Sequence, residues 1–283
     1  MKFKTLEQKR AYEKAMNRSY KAAAFDVDGT ITEFAKLTIP DSLLATFEQI
    51  PLDVPLAICT GRPIEFIHRK MDAICNATRN PAEQRRRWWI IAENGGAGYY
   101  FDEKTEEYVQ FFDIKWPVER IEMEVLVAYL KDKLGGHVNI LKRKHTVVVI
   151  YPKWMYLFPH IVKRESRRNS NKIRKVLKDM GLSNLLSSQD SGLGTLIVPK
   201  ESGKGNAIRH FAKKLGIPMK QILCVGDSPQ SGGNDEDFMS GHFGTPFNVG
   251  PLTKKNYPLP VLDARGVRLT GPQGTEALLK QVF

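Results

Sequence analysis

The stretch that decides the fold is KAAAFDVDGTIT, Lys21–Thr32. A short apolar strand, Ala22–Phe25, runs into two carboxylates, Asp26 and Asp28, and then Gly29. Side chains alternate along a strand, so residues two apart share a side. Two carboxylates held that close repel unless something positive lies between them. The stretch therefore binds a cation or is a solvated turn. A calcium EF-hand loop also begins Asp-x-Asp, but it needs a later glycine and a glutamate at its end. Here Leu37 stands where that glutamate would be, which excludes the EF-hand. A carboxylate can also attack phosphorus, while its neighbour handles the protons of the leaving group and of water.

Further along the chain, "VPLAIC" and "RRRWWIIAENGG" contain apolar strands, separated from the first by the helical segments "DSLLATFEQI" and "IEFIHRKMDAIC". Asp41 or Ser42 is the expected N-cap of the first helix. Alternating strands and helices predict a parallel, Rossmann-like α/β sheet covered on both faces. The pattern changes after a hairpin around Asp102–Thr105: "VERIEMEVLVAYLKDKL" reads as helix, "HVNILKRKHTVVVIYP" as strand, "NKIRKVLKDMG" as helix capped by Gly181, and "GTLIVPK" as strand. Alternation resumes with "GNAIRHFAKKLGI", "QILCVGDS" and "FNVG". The expected organisation is an N-terminal basic helix over 1–20, a catalytic core over 21–112 and 199–283, and an α/β cap inserted over 113–198.

In open parallel sheets ligands bind beyond the carboxyl ends of the strands. Three polar clusters stand at strand ends: Asp26/Asp28, Thr60 in "ICTGRP", and Asp227 in "CVGDSPQSGGNDEDFM". Thr60 and Pro63 also suit a helix start; alternatively, the Thr60 hydroxyl and nearby N–H groups hold phosphoryl oxygens. "PKESGKGNAI" is not a Walker A loop, since Val198 stands where its first glycine would be, but Lys204 within it could offset phosphate charge. Asp227 with Asp235 suits a hard cation. Magnesium fits better than zinc, because no His or Cys has ligand spacing.

Together, in this order, the four clusters resemble the haloacid dehalogenase (HAD) superfamily of phosphohydrolases. The insertion after the second cluster and "AENGG" at 92–96 look like its type IIB branch, which includes sugar-phosphate phosphatases and eukaryotic-type phosphomannomutases. The resemblance implies that Asp26 is the nucleophile and Asp28 the acid/base. Thr60, Gly61 and Lys204 would bind or steady the phosphoryl group. Asp26, the Asp28 backbone carbonyl, Asp227 and Asp235 would surround Mg2+. The six residues between Asp227 and Asn234 are closer to phosphomannomutases, whereas "ICTGRP" and "SGKGNAI" look like the hydrolases. Hydrolysis of a sugar phosphate or similar small metabolite is the implied activity. A phosphomutase, or a nucleic-acid-binding or end-processing protein, is the alternative.

Composition narrows the class. The 283 residues are 42% hydrophobic and 26% charged, as in ordinary globular proteins. No apolar run is long enough to span a bilayer, and the polar start is no signal-peptide core, so no membrane association and a cytoplasmic location are expected. Three cysteines exclude a disulfide framework. The +12 charge is concentrated: twelve Lys/Arg between Lys142 and Lys178 face one acid, Glu165. Such a stretch is a solvated helix face or a surface that attracts anions.

Overall fold

The computed structural model describes residues 3, 5–33, 38–76, 78–135, 138–192, 194–251 and 257–283. Its elements in chain order are α1 (Leu6–Met16), β1 (Ala22–Asp26), α2 (Asp41–Gln49), β2 (Leu56–Cys59), α3 (Ile64–Asn76), α4 (Pro81–Arg87) and β3 (Trp88–Ala92). Then come β4 (Ala97–Asp102), β5 (Glu107–Asp113), α5 (Arg120–Leu134), β6 (Asn139–Lys142), β7 (Val147–Ile150) and α6 (Pro159–Asp179). The chain closes with β8 (Leu186–Asp190), β9 (Thr195–Pro199), α7 (Lys204–Leu215), β10 (Ile222–Gly226), β11 (Thr245–Asn248), β12 (Leu259–Leu262), β13 (Arg268–Leu269) and α8 (Gly271–Val282).

The main sheet has the order β13-β12-β11-β10-β1-β2-β3-β4-β5. Its six central strands, β12 through β3, are mutually parallel, and antiparallel strands close both edges. Alternation sorts the strand residues between two cores. Ala23, Phe25, Leu56, Ile58, Leu223 and Val225 pack under helices that include α2, α3 and α8. Ala22, Ala24, Ala57, Cys59 and Cys224 pack on the other face beneath Ala207, Ile208 and Phe211 of α7. The small residues on that face leave room for the larger Ile208 and Phe211 of α7. Asp26 continues the even-numbered series, so its side chain is delivered to the α7 side, where Lys204 begins that helix. Cys59 and Cys224 are buried there, and burial holds both thiols above their ordinary pKa, in keeping with a packing role.

A second sheet, β6-β7-β9-β8, is antiparallel throughout. One of its faces packs on α5 and α6 through Leu126, Leu130, Val147, Val149, Ile173 and Ile197. The other face presents Val148, Ile150 and Leu196 to a cavity over the strand ends of the main sheet.

Several local expectations are corrected. The residue before α2 is Pro40; Asp41 lies inside the helix, and the Ser42 hydroxyl donates to Glu276 instead of capping. Arg85–Arg87 finish α4, a helix started by Pro81, before the third strand begins. The "HVNILKRKHTVVVIYP" segment is a hairpin, because Arg143–Thr146 make a turn closed by the Arg143 N–H donating to the Thr146 carbonyl at 2.7 Å; residues 136 and 137 lie outside the described residues. The helix around Asn171 begins at Pro159 and is capped by Met180, with Gly181 one place later at φ +72°. The N-terminal helix spans Leu6–Met16 and packs on the core: Ala15 is buried, and Tyr12 meets Phe247 edge-on.

Candidate active site

The parallel order β10-β1-β2 sets Asp227, Asp26 and Thr60 side by side at adjacent strand ends. Asp26, Asp28, Thr60, Gly61, Arg62 and Asp227 all line one cavity of about 500 Å3. Beneath its floor Lys204, which is 0% exposed, donates from Nζ to Asp26 Oδ1 and, at 2.6 Å, to Asp235 Oδ1. Burial works against the ammonium, but Asp235 and Asp26 outweigh it and hold its pKa above the ordinary lysine value. Lys204 thus contacts Asp26 from below and does not itself line the cavity.

Carboxylate oxygens of Asp26, Asp227 and Asp235 lie within 4.8 Å of one another. Burial, then the Asp26 and Asp235 charges, push the Asp227 carboxyl up to about 8; burial and Asp26 push Asp235 up to about 7. Lys204 alone leaves this cluster underneutralised. Asp235 Oδ2 is buried with no hydrogen-bond partner among the described residues, an arrangement that costs free energy unless a cation takes it up. The donors are all oxygen, which suits Mg2+. The side chain of Asp28 stands outside this cluster. Both of its oxygens lie 3.0 Å from Arg62 Nη2.

The Thr60 hydroxyl accepts from the Arg62 N–H at 3.2 Å, so its own proton is available to a ligand. The Gly61 N–H has no hydrogen-bond acceptor among the described residues, and Arg143 Nη1 of the second sheet donates to the Gly61 carbonyl at 3.1 Å.

Residues without an assigned role in the sequence hold this loop. Glu93 and Asn94 have left-handed backbones, φ +46° and +56°, a costly conformation for non-glycine residues. Their N–H groups donate to the Arg62 and Thr60 carbonyls at 3.0 and 2.8 Å. The Glu93 carboxylate receives the His145 N–H and the Thr146 hydroxyl, both at 3.0 Å, and Asn94 Nδ2 donates to Gln189. The pair ties the Thr60 loop to the second sheet. Asp237 fixes the start of α7 by accepting the Gly205 N–H at 3.1 Å. "AENGG" carried a signal for the first two only as part of a motif; backbone angles are not readable from it.

Among solved structures, a HAD/COF-like hydrolase from Plasmodium vivax matches with a TM-score of 0.68 at 18% identity, over 96% of this chain and 98% of that one. The fold is that of the haloacid dehalogenases. Two further solved structures share the fold. Aspergillus fumigatus trehalose-6-phosphate phosphatase matches with a TM-score of 0.57 at 16% identity, over 98% of both chains. IMP-bound Plasmodium falciparum IMP-nucleotidase matches with a TM-score of 0.68 at 12% identity, over 98% of this chain and 71% of that one. A family model for sucrose-6F-phosphate phosphohydrolase matches residues 155–245, from before α6 into β11. No curated protein matches by sequence. No helix among the described residues is long and apolar enough to cross a membrane.

Proposed function

We propose that this protein is a magnesium-dependent phosphate-monoester hydrolase that forms an aspartyl-phosphate on Asp26, and that its substrate is a sugar phosphate or similar small phosphorylated metabolite. The observation that carries the reading is Asp26 itself. Its carboxylate is pinned from below by buried Lys204 and opens above into a cavity that also holds Asp28 and Thr60.

Lys204 engages Oδ1, which leaves Oδ2 of Asp26 to attack phosphorus. The P–O bond to the leaving alcohol breaks, and protonated Asp28 gives that oxygen its proton. Asp28, now a carboxylate, takes a proton from water as that water attacks the phosphorylated Asp26. Inorganic phosphate leaves and both carboxyls return to their starting states. The Thr60 hydroxyl and the Gly61 N–H receive phosphoryl oxygens throughout. When bound by Asp26, Asp227 and Asp235, Mg2+ supplies the positive charge that lets a carboxylate and a phosphate approach. The second sheet covers the cavity with Val148, Ile150 and Leu196, limiting water and selecting the alcohol. Three free, buried cysteines support a reducing, cytoplasmic setting.

The test is phosphate release from a panel of sugar, polyol and nucleotide monophosphates. Release that requires Mg2+ and is lost on Asp26→Asn supports the reading; a folded, magnesium-supplied protein that releases phosphate from none of them overturns it.

A further inference from the structure

Most of the basic stretch of the sequence lies in α6, which carries eight Lys/Arg against two acids over Pro159–Asp179. Its inner face buries Val162, Ser166, Asn169, Ser170, Ile173 and Leu177. His160, Arg164, Arg167 and Asn171 recur at three- and four-residue spacing and so form one stripe. That stripe, with Lys163 and Arg168, lines a second cavity of about 600 Å3. The two cavities adjoin, since His160, Lys163 and Gln230 line both.

Little in the protein neutralises this groove. Glu165 lies 3.6 Å from Arg164 and 3.8 Å from Arg168, in loose pairs along one helix. The acid among the groove's lining residues is Asp190, whose Oδ1 already accepts the Ser166 hydroxyl at 2.6 Å and the Gly192 N–H at 2.8 Å. Among the described residues Lys163 and Arg167 form no ion pair. A solvated face accounts for Lys172, Lys175 and Lys178, which line neither cavity. It does not account for four cations and a histidine around a groove that adjoins the catalytic cavity.

We propose that the substrate carries a second anionic group, a phosphate in the simplest case, at the end remote from the scissile ester, and that the α6 groove binds it. The inner cavity takes the body of a small metabolite, and its apolar roof and the groove beyond it require that body to be extended. Guanidinium groups bind phosphate through paired N–H donors, so Arg164 and Arg167 are the expected anchors. The inference rests on the phosphatase reading above for the identity of the scissile end only.

The test compares α,ω-alkanediol bisphosphates of increasing chain length with the matching alkyl monophosphates. Binding to the Asp26→Asn protein with Mg2+ is measured by calorimetry, and turnover by the protein with Asp26 intact is measured in parallel. At some chain length the bisphosphate binds at least about tenfold more tightly, roughly 1.4 kcal/mol. Arg164→Ala/Arg167→Ala removes that gain and leaves monophosphate binding and turnover within about twofold. A bisphosphate advantage at no chain length, or one that survives in the double variant, overturns the proposal. So does an unphosphorylated oligonucleotide that binds as tightly as the best bisphosphate and is lost in the same variant, which would assign the groove to polymeric nucleic acid. A gain in binding without turnover of any ester would sink the phosphatase reading and leave the groove assignment standing; monophosphate turnover without the gain would do the reverse.

Discussion

Arg62 Nη2 lies 3.0 Å from both carboxylate oxygens of Asp28, and the same guanidinium rests 5.0 Å from the centre of the Phe66 ring. Arg62 therefore fixes the orientation of the Asp28 carboxylate, which in the proposed mechanism faces the leaving group. Proton transfer matters for an alkoxide and much less for a leaving group that departs unprotonated. Asp28→Asn should lower kcat on sugar phosphates by about 100-fold or more, within the usual range for general acid–base catalysis, and affect p-nitrophenyl phosphate far less. Arg62→Ala should show the same split at smaller amplitude. Equal losses on both substrates would mean that the pair acts on phosphate binding instead.

Lys204 is the cation beneath three carboxylates. Replacing one partner of a buried ion pair costs about 3–5 kcal/mol. Lys204→Met should approach that loss at pH 8 in EDTA and lose less at pH 5, where Asp227 and Asp235 can take up protons. Mg2+ should restore part of the stability, because it brings positive charge to the same cluster, while phosphate release stays depressed. Thermal midpoints at the two pH values, with and without Mg2+, check the pattern.

The raised carboxyls give a pH dependence of definite sign. A group whose folded pKa lies above its unfolded value stabilises the fold fully below the unfolded value, about 4 for aspartate, and that contribution is lost as pH rises through the folded value. With Asp235 near 7 and Asp227 near 8, the metal-free protein loses this stabilisation between about pH 4 and 8. Mg2+ binds the ionised forms. The rise in thermal midpoint on adding Mg2+ should therefore widen from pH 5 to pH 8.5. A rise that is constant or narrows with pH would contradict the assignment of these carboxylates to a metal.

Gly95 has φ +85°, and a Cβ there would stand 2.3 Å from the Gly203 carbonyl oxygen. Gly203 immediately precedes Lys204, so any displacement reaches the catalytic floor. Gly95→Ala should cost more than the about 1–3 kcal/mol of a strained backbone alone, and phosphate release should fall with it. Denaturant unfolding beside an activity assay measures both.

The central strands and the three clusters at their ends were legible because each rests on a local rule: apolar alternation in "AAAF" and "LAIC", and polar residues where the strand stops. Motif order suggested Lys204 only as a group for the phosphoryl oxygens; its contact with Asp26, 178 residues away, carried no local signal. Other features carried no local signal. β8 reads Leu-Ser-Ser-Gln-Asp, with alternating burial but little apolar content, and it joins its sheet through pairing with β9. Arg62 sat in a helix-start motif whose geometry, not composition, aims it at Asp28. The left-handed Glu93 and Asn94 are held by contacts to both sheets, which no neighbouring residue announces.

The proposed mechanism requires a covalent phosphate on Asp26. Rapid acid quenching of a single turnover, followed by peptide mapping by mass spectrometry, detects it. A hydroxylamine-sensitive phosphate is expected on the peptide containing Asp26, absent from Asp26→Asn and from samples without Mg2+. Phosphate release at full rate with no phosphorylated peptide at any time point would contradict it and point to direct attack by water.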